Sequence, residues 1–186
     1  MSRLERSFCR GSLWRRSASG IAGSLPTERM GKDVLEIGCG SGDIAEQLSR
    51  AIPDASITAT DLDPVMVRSA ARRLAGRPGV AVVTADATDL PFGDDAFDSV
   101  VSCLMLHHVI GWETAVAEIA RVLRPGGVFT GYDLVRTPLA TLVHRIDRSP
   151  FRLVNPDELA AVAGRHGLEL HTATALGGHA MRFTSR

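Results

Sequence analysis

Lysine is nearly missing from this chain: of 21 Lys and Arg residues, only Lys32 is a lysine. Net charge is missing as well, because 21 Asp and Glu residues cancel the 21 basic ones. Without a basic field to draw it onto phosphates, no nucleic-acid partner is expected. Cysteine is scarce and odd in number. Cys9, Cys39 and Cys103 lie far apart and form no C-x-x-C pair, so no thiolate metal site is expected, and free thiols fit a reducing compartment. No apolar run approaches the ~20 residues of a membrane span. The Arg- and Ser-rich N-terminus lacks the apolar core of a secretion signal. The expectation is therefore a cytoplasmic chain without stable membrane insertion, either monomer or homodimer. Repeats, low-complexity tracts and Pro/Gly/Ser linkers are also absent from the 186 residues, a length suited to one domain with a substantial core.

Short β-type runs alternate with helical patterns. Residues 34–37 are apolar and β-branched apart from Glu36, and they end at a glycine cluster. Ile44, Leu48 and Ile52 then recur on one helical face. Residues 55–60 predict a second strand, stopping at Asp61. Asp63-Pro64 is an N-cap followed by proline at the first helical position, opening a helix to about Leu74. Residues 80–84 and 99–103 predict the third and fourth strands. A helix over 113–123 is expected to stop at Pro125-Gly126-Gly127, with a fifth strand over 128–132. Asn155-Pro156 repeats the cap-plus-proline start, for a helix ending near His166 with Gly167 after it, and 168–176 and 180–184 predict a terminal strand pair. This alternation predicts a doubly wound α/β fold, mostly parallel, with ligands at the carboxyl ends of the strands.

Three such ends carry suitable groups. Gly38-Cys39-Gly40-Ser41-Gly42 follows the first strand and opens a helix, so bare backbone and free N–H groups face a ligand. A dinucleotide fingerprint would need a third glycine at position 43, which is Asp43, a side chain that would face a pyrophosphate unfavourably. Glu36 is a charge within a central strand and needs a polar partner. Asp61 closes the second strand, where a carboxylate can accept from two ribose hydroxyls. Asp86, after the third strand, can accept from an adenine amino group.

The blocks VLEIGCGSG (34–42), TDLDPVMV (60–67), DATDLPFGDDAFDSVVSCLMLHHV (86–109) and RVLRPGG (121–127) resemble the class I S-adenosylmethionine-dependent methyltransferases. The similarity is to the small-molecule branch related to quinone-biosynthesis enzymes. It implies a Rossmann-like seven-stranded sheet with the last strand antiparallel. It also implies S-adenosylmethionine as cofactor, with Gly38, Cys39, Gly40 and Gly42 lining its methionine and ribose side and Glu36 reaching its amino group. Asp61 would hold the ribose and Leu62 would pack on the adenine, while Asp86 and the Ala87 N–H would read its edge. Ser102 and Cys103 would pass near the transferable methyl. On this reading the chain divides into an N-terminal helical cap (1–30), a cofactor-binding core (31–133), a substrate lid (134–154) and a C-terminal helix with two strands (155–186). Ser102-Cys103-Leu104-Met105 replaces the Asn/Asp-Pro-Pro-aromatic signature of adenine and glutamine amino methylation, and no target-recognition domain is evident; both favour a small acceptor.

Methyl transfer from a sulfonium releases a neutral thioether and needs no general acid. The protein's tasks are in-line alignment and exclusion of water, worth about 7–11 kcal/mol in well-oriented reactions, with a base only where the acceptor loses a proton. The candidate bases are His107, His108, His144, Tyr132 and Asp133, with His107 ahead; alternatively, one of the adjacent histidines simply packs in a helix start and the other is solvated. Arg136, His144, Arg145, Arg148 and Arg152 in the lid suggest an anionic or amphipathic acceptor, or else arginines on a solvated face. Arg3, Arg6, Arg10, Arg15 and Arg16, set among Leu4, Phe8, Leu13 and Trp14, form a second possible cover. Two rivals stand beside a methyltransferase: a non-catalytic binder of S-adenosylmethionine or S-adenosylhomocysteine, and a nicotinamide oxidoreductase, against which Asp43 and Asp86 argue.

Overall fold

The structure is a computed structural model describing residues 6–7, 11–138, 140–142 and 150–185. Seven strands, β1 (Asp33–Ile37), β2 (Ser56–Asp61), β3 (Val80–Thr84), β4 (Phe97–Cys103), β5 (Leu123–Leu134), β6 (Leu170–Ala175) and β7 (Ala180–Ser185), form one sheet ordered β3-β2-β1-β4-β5-β7-β6. Neighbours from β3 to β5 pair in parallel, and β7 inserts antiparallel between β5 and β6. The sheet is therefore doubly wound with its last strand reversed, as the sequence predicts. The order turns back between β1 and β4, and a crevice at the carboxyl ends of these strands is the ligand-binding position of such sheets.

Among the described residues, the helices α1 (Ser12–Ala22), α2 (Asp43–Ala51), α3 (Pro64–Arg73), α4 (Trp112–Val122) and α5 (Pro156–Arg165) flank the sheet. Alternate residues of the central strands serve opposite faces, so these strands are apolar on both sides. Leu35, Ile37, Val100 and Phe129 join Trp112, Ile119 and Leu159 of α4 and α5. Val34, Ile57, Ala59 and Val101 join Trp14, Ile21, Ile44, Leu48 and Ala70 of α1, α2 and α3. Both predicted caps are made: Asp63 accepts the Val65 N–H at 2.8 Å, and Asn155 accepts those of Asp157 and Glu158 at 2.8 and 3.3 Å. Each such cap contributes about 1 kcal/mol.

One predicted boundary moves. Pro125-Gly126-Gly127 does not separate helix from strand; α4 ends at Val122 and β5 begins at once with Leu123. Leu123 is buried and pairs with Phe97, and the register then slips so that Val128 faces Ser99. The glycines form an irregularity inside a longer strand: Gly126 has φ +78°, and a Cβ at Gly127 would lie 2.9 Å from the Arg124 and Asp98 carbonyl oxygens. Further along β5, a Cβ at Gly131 would stand 1.8 Å from the Ser102 carbonyl oxygen, so the β4–β5 pair closes only over glycine.

At the expected lid, Leu134 still belongs to β5 and Val135 bridges Val154. His144, Arg145 and Arg148 fall outside the described residues, as do Arg3, Leu4, Phe8 and Arg10, and so does the side chain of Leu13. No helix among the described residues is long and apolar enough to cross a membrane.

Candidate active site

The crevice starts from the loop between β1 and α2. Gly38, Gly40 and Gly42 have φ of +71°, +54° and +83°, left-handed values that side chains rarely adopt. The Cys39 N–H donates to the Thr60 carbonyl at 2.8 Å and that of Gly42 to Cys39 at 2.9 Å, tying the loop to β2 and to itself. The three glycines do different work. A Cβ on Gly38 would collide with Met105, from the loop after β4, and one on Gly42 would press on Ala70 and Leu74. At Gly40 a Cβ would meet nothing within 4 Å, so the loop is open there.

Asp61 lies beside this opening. Its Oδ2 accepts the Gly40 N–H at 2.9 Å and its Oδ1 the Asp63 N–H at 2.8 Å. Burial, and to a smaller extent the neighbouring Asp63 carboxylate, raise its pKa against the lowering effect of those two N–H groups. Each carboxylate oxygen retains further acceptor capacity. Leu62, next in sequence, is 62% exposed. In register with Asp61, β3 ends at Thr84, and two residues on Asp86 is exposed, its Oδ1 accepting from the Thr88 N–H and hydroxyl. Ala87 is half-buried beside it.

Glu36 is 1% exposed, and burial pushes its pKa up to about 8 against a backbone hydrogen bond from Ala45. Its Oε2 is a buried oxygen with no hydrogen-bond partner among the described residues, as is Ser102 Oγ. An unpartnered carboxylate oxygen in a central strand is costly, and a ligand ammonium would satisfy it. The sheet's pleat divides the expected pair after it. Glu36 is in register with Val101, so Cys103, two residues on, shares its face, while Ser102, in register with Ile37, faces the other. The thiols of Cys39 and Cys103 are buried and their pKa values are raised, first by desolvation and then by the charge of Glu36. Together, the open loop at Gly40, the acid at Asp61, the exposed Leu62 and the orphaned Glu36 oxygen fit an aminoacyl nucleoside such as S-adenosylmethionine.

Asp43 does not turn toward the ligand side. It is buried, accepts the Ser41 hydroxyl at 2.6 Å and pairs with Arg73 at 3.1 Å. Arg73, on the last turn of α3, also donates to the Ser41 carbonyl at 2.8 Å and pairs with Glu46. It thus clamps the glycine loop from behind, a role no local pattern in the sequence signals because the partners lie about 30 residues apart.

On the other side of the switch point, a one-turn helix over Leu106–His108 follows β4. His107 is buried, and its Nδ1 lies 2.5 Å from Oδ1 of Asp133, which also accepts the Leu134 N–H at 2.6 Å. Oδ2 of Asp133 has no hydrogen-bond partner among the described residues. Two of the candidate bases are therefore one unit. His108 is half-buried beside it, the ring centroids 4.1 Å apart. Leu104, just before, has φ +55°, a left-handed strain for a bulky residue at the strand end.

Tyr132 is removed from this group. The pleat turns its ring to the opposite face from Asp133, where it packs near α1 and bonds Ser24 Oγ at 3.2 Å. Arg152 is not a free lid cation either. It pairs with Glu113 at 2.6 Å, donates to the Ile110 carbonyl and lies over the Trp112 ring, while its own N–H binds the His107 carbonyl. Arg136 is exposed. Among the described residues, no group of three or more His, Cys, Asp or Glu side chains could hold a metal ion.

The chain is also similar to known proteins. The chain is 37% identical over 126 residues to the probable phthiotriol/phenolphthiotriol dimycocerosates methyltransferase 2 of Mycobacterium ulcerans, covering 68% of this chain and 46% of that one. It is 36% identical over 133 residues to the demethylmenaquinone methyltransferase of Clavibacter sepedonicus, covering 72% and 51%. The chain thus spans about half the length of these two relatives. The crystal structure of the YcgJ protein from Bacillus subtilis superposes with a TM-score of 0.74 at 26% identity, over 86% of this chain and 71% of that one. The methyltransferase domain family matches residues 35–131, from within β1 to within β5. That stretch holds the glycine loop, both acids and His107, and the chain accordingly belongs to this family, the class I S-adenosylmethionine-dependent methyltransferases.

Proposed function

We propose that this chain transfers a methyl group from S-adenosylmethionine, in line, to a small organic acceptor. The observation that most supports the reading is the Gly40–Asp61 hydrogen bond at the end of β2, with exposed Leu62 next in the chain, the unpartnered Glu36 oxygen in β1 and the His107–Asp133 pair where β4 and β5 end. Asp61 binds the ribose hydroxyls as an acceptor, and Glu36 takes the ammonium on its free oxygen. The bare loop at Gly38, Cys39, Gly40 and Gly42 lies along the ligand, and Leu62 covers one face of the base. Asp86 and the Ala87 N–H recognise the base edge. Cys103 shares the Glu36 face, whereas Ser102 borders the acceptor side.

When bound, S-adenosylmethionine supplies an electrophilic methyl whose leaving group is a neutral thioether. The chain's own contribution is alignment, exclusion of water and handling of the acceptor's proton. In the tautomer whose Nδ1–H donates to Asp133, Nε2 is the basic nitrogen of His107. His107 is then the general base, and Asp133 stabilises the imidazolium formed when it takes a proton from a hydroxyl or protonated amine. The relatives named for phthiotriol/phenolphthiotriol dimycocerosates and for demethylmenaquinone support a small organic acceptor over a protein or nucleic acid.

The test is incubation with methyl-labelled S-adenosylmethionine and a panel of phenols, hydroquinones, long-chain alcohols and amines. Label transferred to one acceptor class, with stoichiometric S-adenosylhomocysteine, is the expected result. Tight binding of the nucleoside with no turnover on any class would instead leave a non-catalytic binder.

A further inference from the structure

Asp61 is the end of a longer run of contacts. Its Oδ2 takes the Gly40 N–H and its Oδ1 the Asp63 N–H. Asp63 is bound in turn through both oxygens, Oδ1 by the Val65 N–H at 2.8 Å and Oδ2 by Nε of Arg6 at 2.7 Å. A continuous path therefore leads from Arg6 through Asp63 and Asp61 to the open point of the glycine loop, joining segments 57 and 21 residues apart in sequence.

Charge gives this path a purpose. Asp61 and Asp63 are two carboxylates, each 8% exposed, linked through one backbone N–H. Each disfavours ionisation of the other, and a ribose-binding acid must be ionised to act as a pure acceptor. Burial works to raise the Asp63 pKa, yet Val65 and Arg6 together bring it below the ordinary value. Arg6, its side chain 36% exposed, is thus a cation placed where the paired acids need one.

We infer that Arg6 is a positioning residue for cofactor binding: by compensating Asp63 it keeps Asp61 in register with Gly40, so that seating of Arg6 and occupancy of the ribose site reinforce each other. The inference rests on the proposed reading of the crevice as a nucleoside site. Because coupling is reciprocal, it acts in both directions.

The experiment is calorimetric titration of the full chain with S-adenosylhomocysteine, comparing wild type with Arg6→Ala, Arg6→Lys, Asp63→Asn and the Arg6→Ala/Asp63→Asn double variant. Asparagine retains the helix cap, so Asp63→Asn isolates the charge. Arg6→Ala should weaken binding about fivefold, on the scale of a partly exposed ion pair, whereas Asp63→Asn, which removes the carboxylate that Arg6 compensates, should bind at least as tightly as wild type. Asp63→Asn in the Arg6→Ala background should restore most of the lost affinity, and Arg6→Lys should retain part of it. Rising ionic strength should weaken binding by wild type more than by Arg6→Ala, and S-adenosylhomocysteine should slow tryptic cleavage after Arg6 in wild type more than in Asp63→Asn. A merely structural salt bridge would lower the melting temperature and move neither readout. Wild-type affinity and salt dependence in Arg6→Ala would overturn the inference alone. Failure of wild type to bind the nucleoside at all would overturn the site reading with it.

Discussion

Nδ1 of His107 and Oδ1 of Asp133 meet at 2.5 Å across the ends of two neighbouring strands, although 26 residues separate them. The pair exists because β4 and β5 run in parallel register, Cys103 opposite Tyr132, so that the one-turn helix after β4 sets His107 against Asp133, near the end of β5. Both side chains are buried, and Asp133 Oδ2 has no hydrogen-bond partner among the described residues.

Replacing that carboxylate by an amide tests its role. Asp133→Asn preserves volume but removes the charge that would stabilise a His107 imidazolium. On an acceptor that loses a proton, kcat should fall by about 10²–10⁴, while the dissociation constant for S-adenosylhomocysteine stays at the wild-type value. Single-turnover kinetics at saturating cofactor separates the two quantities.

Leu62 is apolar yet 62% exposed, so it contributes little to the core. Leu62→Ala should therefore leave the melting temperature within error of wild type. Cofactor binding should weaken by about 1–2 kcal/mol, part of the value of burying a leucine side chain. Calorimetry with thermal denaturation of the same samples checks both.

Glu36 carries the pH dependence. Its carboxyl is pushed up to about 8 by burial, so between the ordinary 4.5 and about 8 the folded chain holds a proton that the unfolded chain has lost. Stability should fall as pH rises through that window and level off above it, and Glu36→Gln should flatten the slope. An ammonium ligand favours the carboxylate, so binding at neutral pH should release up to one proton in wild type and fewer in Glu36→Gln. Titrations in buffers of different ionisation enthalpy measure that number.

Arg73 holds the glycine loop from behind through the Ser41 carbonyl and Asp43. Arg73→Leu leaves the buried Asp43 carboxylate without its cation. A loss of about 1–3 kcal/mol in stability is expected, together with weaker cofactor binding. Asp43→Asn in the same background should restore part of the stability, as read by urea denaturation.

Local signals in the chain made much of this legible. Asp63-Pro64 and Asn155-Pro156 are self-contained helix starts, and both caps form where the residues indicate. The glycine loop, Asp61 and Asp86 follow apolar runs whose parallel pairing brings their ends together. What escaped the sequence depends on tertiary register. Pro125-Gly126-Gly127 signals a boundary, but the pairing of Leu123 with Phe97 draws it inside β5. Tyr132 and Asp133 are adjacent letters on opposite faces, and Arg152 resembles a lid cation until Glu113 and Trp112 are placed beneath it. The path from Arg6 to Gly40, like the Arg73 clamp, links distant segments through single side-chain contacts, which no periodicity encodes.

The most direct measurement is calorimetric titration of the wild-type chain and Asp61→Ala with S-adenosylhomocysteine, with NAD as a control. Wild type should bind one equivalent of S-adenosylhomocysteine and no NAD, and folded Asp61→Ala should bind more weakly by about 1.5–3 kcal/mol, the scale of hydrogen bonds to a charged group. Equal affinity in the two proteins, or heat on addition of NAD alone, would contradict the assignment of this crevice.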